Sequence, residues 1–172
     1  MLSKTIKQYA RVSLGAAALS LIACGGAAFA GSADATLGVS ADVTNNCTIA
    51  ASPTVSVGSY NALAGNIPAT GTLTVACTTG AVATIALDTG ANGAHATGTT
   101  RAMTDGTGDY LSYELYQDSG HTTLWGTADN AAVESAAVDT TAVDYTVYAL
   151  VPGSQDVPSG TYNDSVAVTV SF

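Results

Sequence analysis

From Ala33 to Val43 every odd position is apolar (Ala33, Ala35, Leu37, Val39, Ala41, Val43), while the even positions hold Asp34, Thr36, Gly38, Ser40 and Asp42. A period of two marks a strand with one buried face, so this segment is expected to be extended, with Leu37, Val39, Ala41 and Val43 on one side. The same alternation returns in SVAVTVSF at 165–172, where Val166, Val168, Val170 and Phe172 are apolar and Ser165, Ala167, Thr169 and Ser171 are small or polar. That pattern predicts a final strand ending on an inward-facing Phe172. Between the two lie shorter alternating runs: GTLTVACTT, AVATIALD, YLSYELYQD and AVDYTVYALV, separated by stretches rich in Gly, Asp, Asn and Ser. Thr, Val and Tyr dominate the runs and suit a pleated, half-buried surface. Six or seven strands are expected, and with no internal repeat or Pro-rich linker they define one all-β sandwich. The longest irregular stretch, 89–109, reads as an exposed loop or hairpin. NAAVESAAVD at 130–139 is ambiguous, since its alanines also suit a short helix.

The residues before this pattern belong to a different layout. Lys4, Lys7 and Arg11 precede an apolar run over 12–24, and Ala28-Phe29-Ala30 puts small residues where a signal peptidase reads. Cleavage after Ala30 and export from the cytoplasm are expected. The run is shorter than the roughly 20 residues that span a bilayer core, so no membrane segment is expected in the mature form. LIAC at 21–24 also resembles a lipobox, which would make Cys24 a lipidated N-terminus.

Removing 1–30 changes the charge balance. Three of the four basic residues leave, so Arg101 faces all thirteen acids alone. Nucleic acid is excluded as a partner because phosphate binding needs clustered Lys and Arg. About 140 of the 172 residues remain, enough for one domain with a core of its own. Cys47 and Cys77 also remain, an even number in a compartment where disulfides persist; two buried free thiols are the alternative.

No catalytic, cofactor or metal site is expected. His95 and His121 lie in separate Gly- and Thr-rich regions, and no HxxxH, HxH or CxxC spacing supplies ligands. There is no GxSxG, Walker loop or GxGxxG opening a helix. TDGTGD at 104–109 reads as a turn, since its glycines are misplaced for an EF-hand. The sequons at Asn46 and Asn163 fall in expected strands. Tyr110, Tyr113, Tyr116 and Trp125 could form a sugar-stacking platform, but their spacing favours sheet packing.

Two arrangements accommodate the terminal strands. The N-terminal one pairs beside the C-terminal one in the same chain, which is the commoner behaviour of terminal strands, or it leaves and completes a neighbouring molecule. NNCTI, VSVGSYN, GTLTVACTTG, YELYQDSGHTTLWG and the closing SGTYNDSVAVTVSF together resemble the spore coat protein U family, which includes the major pilins of archaic (Csu-type) chaperone-usher pili. The likeness runs from about Thr36 to Phe172; one departure is Val57, where an aromatic residue is expected before Gly58. The resemblance implies an incomplete immunoglobulin-like β-sandwich over 46–172 with an N-terminal donor strand over 31–45, and a disulfide between Cys47 and Cys77. It further implies a groove bordered by Val166, Val168, Val170 and Phe172, and capture by a periplasmic chaperone and an outer-membrane usher. Identical subunits would then join head to tail into a fibre at the cell surface, serving adhesion and biofilm formation. A monomeric secreted sandwich that binds carbohydrate, and a minor, tip or lipid-anchored subunit, are the other classes the residues admit.

Overall fold

A computed structural model describes residues 31–51, 54–127, 132–133 and 139–172. The expected signal peptide, and most of the ambiguous stretch 130–139, lie outside them. The chain divides into two units, Met1–Ser40 and Ala41–Phe172.

Among the described residues, eight strands follow in order: β1 (Cys47–Ala51), β2 (Ile67–Cys77), β3 (Thr84–Leu87), β4 (Arg101–Thr104), β5 (Tyr110–Tyr116), β6 (Ala132–Val133), β7 (Val143–Val151) and β8 (Val168–Ser171). They form a five-stranded sheet, β1-β2-β7-β5-β4, and a three-stranded sheet, β6-β3-β8. Every pairing is antiparallel.

The inner faces follow from the alternation. Leu73, Val75 and Cys77 of β2, Ile85 and Leu87 of β3, Leu111, Tyr113 and Leu115 of β5, and Val147, Ala149 and Val151 of β7 share one buried cluster. Trp125 joins it; its backbone N–H donates to the Leu115 carbonyl (2.9 Å) and its indole N–H to the Ile85 carbonyl (3.0 Å). The indole therefore packs as an apolar body with its one polar group satisfied, and it ties a strand of one sheet to a strand of the other.

Two departures from the expected pattern occur at β4 and β5. The stretch 89–109, expected to be an exposed loop or hairpin, contains a 3₁₀ turn at Gly93–His95 and strand β4, which does form a hairpin with β5, but Arg101 and Ala102 in it are fully buried rather than exposed. Strand β5 is buried on both faces: Ser112 and Glu114, which alternation assigns to solvent, are only 3% and 4% exposed. The covering segment explains this, because Thr97 donates its N–H to Ser112 Oγ (2.8 Å) and Thr100 its N–H to Glu114 Oε2 (2.8 Å). Arg101 completes the layer. Its Nη1 pairs with Glu114, its Nε donates to the Asp88 carbonyl (2.8 Å), and its Nη2 donates to the carbonyls of Trp125 (2.8 Å) and Leu87 (3.2 Å). A buried guanidinium is tolerated because each of its faces meets an acceptor.

Residues 31–46 form no strand, although their alternation predicts one. Side-chain periodicity supplies a face, but a strand also needs a backbone partner, and these residues belong to neither sheet.

Cys47 and Cys77 are joined by a disulfide that closes a sequence separation of 30 residues. They face each other as partners in the β1–β2 ladder. Reducing it is expected to cost about 3–4 kcal/mol on the chain-entropy account. Urea unfolding with and without reductant measures this as a drop in extrapolated stability and midpoint, with a steeper slope because the reduced unfolded chain exposes more surface.

Candidate functional site

The site is built from the edge of the smaller sheet. Among the described residues β8 pairs with β3 on one side only, at Thr84↔Ser171, Ile85↔Val170, Ala86↔Thr169 and Leu87↔Val168. Upstream of β8 the chain stays against its neighbours through single contacts. Asn163 exchanges both backbone hydrogen bonds with Thr104 (2.9 Å each), the Ser165 carbonyl accepts from Ala91 N–H (3.0 Å), and the Ala167 carbonyl accepts from Asp88 N–H (3.0 Å). All of these are odd positions. Successive residues of an extended chain direct their N–H and C=O groups to opposite edges, so the even positions Asp164, Val166, Val168 and Val170 aim theirs at the open edge.

Beside that edge lies a cleft of about 570 Å³. One wall is Val166 and Val168; the other is Val55 and Val57, in the segment after β1. Its floor includes Leu73, Leu115 and Val147, which are core residues. The cleft is an opening in the hydrophobic interior, bordered by a strand edge whose outer backbone groups lack a ladder. Such an edge invites another strand. Val55 comes close because Gly71 of β2 has no side chain: a Cβ there would lie 2.5 Å from Val55 Cγ2.

One end of the cleft is polar. Asp164 lines it and accepts hydrogen bonds from Tyr113 Oη (2.8 Å) and Asn92 Nδ2 (2.9 Å). Burial, reinforced by the hydrogen bond to Asp164, pushes the Tyr113 phenol far above its usual range, so it stays a neutral donor. Position 90 must be glycine on two counts: its φ is +75°, and a Cβ would collide with the Asp164 carboxylate.

The residues singled out from sequence distribute unevenly about this site. Val166 and Val168 line the cleft; Val170 packs half-buried against the core without lining it. Phe172, expected to face inward, is 56% exposed; it lies one residue past β8, where the ladder that fixes side-chain direction has ended. Leu37, Val39 and Val43 are 90%, 88% and 91% exposed, and Ala41 is exposed too. Sequence reasoning missed Val55 as a wall, and Asp164 with Tyr113 as a polar end. The spacing of Gly90 and Gly71 relative to the strands was the available signal, unreadable without knowing what approaches them.

The aromatic residues do not form one platform. Tyr113 and Trp125 enter the core, Tyr110 stacks on His95 (centroids 4.0 Å apart), and Tyr116 meets His121 edge to face (5.2 Å). The 104–109 stretch is a turn closed on Asp105, which accepts from the N–H groups of Thr107 (2.9 Å) and Asp109 (3.2 Å); the hydrogen bonds from Thr107 hold its carboxyl below the usual carboxylate range. Among the described residues no group of three or more His, Cys, Asp or Glu is placed to hold a metal ion, and no helix is long and apolar enough to cross a membrane.

The described residues thus form an all-β, immunoglobulin-like sandwich whose core opens through a cleft along a strand edge. The sequence matches the Spore Coat Protein U domain over residues 33–169, and the chain belongs to that family. It is 37% identical over 169 residues to Protein U of Myxococcus xanthus, covering 91% of this chain and 93% of that protein. Its fold is similar to one solved in a chaperone–tip adhesion subunit pre-assembly complex from archaic chaperone-usher Csu pili of Acinetobacter baumannii, with a TM-score of 0.54 and 23% identity. That likeness covers 76% of this chain and 40% of the other, so the chain spans about two-fifths of its length.

Proposed function

We propose that this protein is a structural subunit of a surface fibre, polymerising head to tail by donor-strand complementation. The segment 31–45 of one copy, through Leu37, Val39, Ala41 and Val43, fills the cleft of the next along the edge carrying Val166, Val168 and Val170, with Phe172 at its end. The observation that carries this is the pairing of complementary features on one chain: an apolar cleft opening into the core, and an alternating segment whose large side chains are about nine-tenths exposed. Eleven extended residues reach about 36 Å, and burying three large side chains is worth roughly 5–9 kcal/mol. The union is heterologous and does not close, so it propagates as a filament. The similarity to a subunit solved with its chaperone supports capture by a periplasmic chaperone, delivery to an outer-membrane usher, and export to the cell surface. There the fibre would serve attachment and biofilm formation, a structural rather than catalytic role.

The test is thermal. Material sheared from cells is expected to run as a ladder of multimers in a denaturing gel until boiled, because the donor cannot leave without exposing its acceptor's core. Migration as a monomer without heating, from cells that carry visible fibres, would refute the proposal.

A further inference from the structure

We propose that Asp164 is a positioning residue, holding the cleft's open edge in strand conformation before any partner strand arrives; this role rests on the strand-accepting function above. From Val168 onward the edge is held by the β3 ladder, but 163–167 lies outside every strand of the fold. An extended stretch without a ladder loses its shape unless other bonds fix it. Here the single backbone contacts of Asn163, Ser165 and Ala167 are joined by side-chain pins. The Asp164 carboxylate is gripped on both oxygens, Oδ1 by Asn92 and Oδ2 by Tyr113, and Tyr113 is anchored in the core at 7% exposure. Asp88 adds a second pin, its Oδ1 accepting the Ala167 N–H at 2.9 Å. The space for the Asp164 carboxylate exists only because residue 90 has no side chain, so three separate positions serve one carboxylate. With the odd-numbered backbone groups tied inward, those of Val166 face the opening in strand geometry. A preformed edge spares an incoming strand the ordering of its acceptor, which speeds capture.

Asp164→Asn weakens the pin and Tyr113→Phe removes one bond while keeping the ring in the core. The experiment adds a fluorescent synthetic peptide of residues 31–46 to the full chain and follows anisotropy, alongside amide exchange and thermal unfolding. In both variants capture is expected to slow roughly tenfold, with faster exchange over 163–168 and unchanged protection of β2. Wild-type capture rates in both variants would overturn the role. Loss of protection in β2 equal to that in 163–168 would also overturn it, making Asp164 an ordinary stabilising residue. No capture even by the wild type would instead remove the strand-accepting function, and this role with it.

Discussion

Replacing Val39 and Val43 together with Asp is expected to abolish fibre assembly while leaving the sandwich folded. Both side chains are about nine-tenths exposed in the single chain, so neither supports the core, and the unfolding midpoint of the domain should stay within error of wild type. In the fibre proposed above the same positions would face an apolar cleft. Each Val lost there removes roughly 1.5–3 kcal/mol of burial, and each Asp adds the cost of desolvating a carboxylate with no cation near it. At about 1.4 kcal/mol per decade, the pair weakens the contact by roughly 10²–10⁴-fold before the charge penalty. Electron microscopy of sheared material gives the readout: fibres of normal abundance from the double variant would contradict the assignment of the segment.

The second large effect concerns Arg101. Arg101→Met is expected to destabilise the domain by roughly 3–5 kcal/mol, the range seen when one partner of a buried ion pair is removed. The loss is large because the guanidinium serves more than Glu114: the carbonyls of Leu87, Asp88 and Trp125 lose their donor at the same time. Glu114→Gln should cost less, since those three carbonyls keep their guanidinium. Urea denaturation at fixed slope separates the two, and equal losses would show that the ion pair alone matters. A deficit of this size consumes much of the stability of a typical domain, so Arg101→Met should also lower the yield of folded protein.

Much of this architecture is legible in alternation. β2, β3, β5 and β7 bury the faces their period assigns, and Val166 and Val168 lie where the terminal pattern puts them. Legibility ends where a local rule is overridden by something distant in sequence. β4 is four residues long and begins with an arginine, which reads as a solvent-seeking side chain until Glu114 and three carbonyls surround it. Glu114 and Ser112 occupy the polar parity of β5, yet the 97–101 segment folds over them. In 33–43 the failure is of another kind: the pattern is that of a strand, and among the described residues no ladder pairs with it. The cleft shows the same division. Its apolar wall was readable from Val166 and Val168, whereas its far wall at Val55 and its polar end at Asp164 depend on close approaches across the fold.

Burying Arg101 has an effect on the exterior. Beyond residue 30 the sequence contains no other Lys or Arg, so with this one sequestered beside Glu114 the described sandwich exposes carboxylates and no Lys or Arg to compensate them. Side by side, two such molecules meet like charge whichever flanks they present. At 0.15 M salt that repulsion reaches about 8 Å and at 0.01 M about 30 Å, which would keep neighbouring fibres of the proposed kind apart in dilute media and let them crowd together in brine.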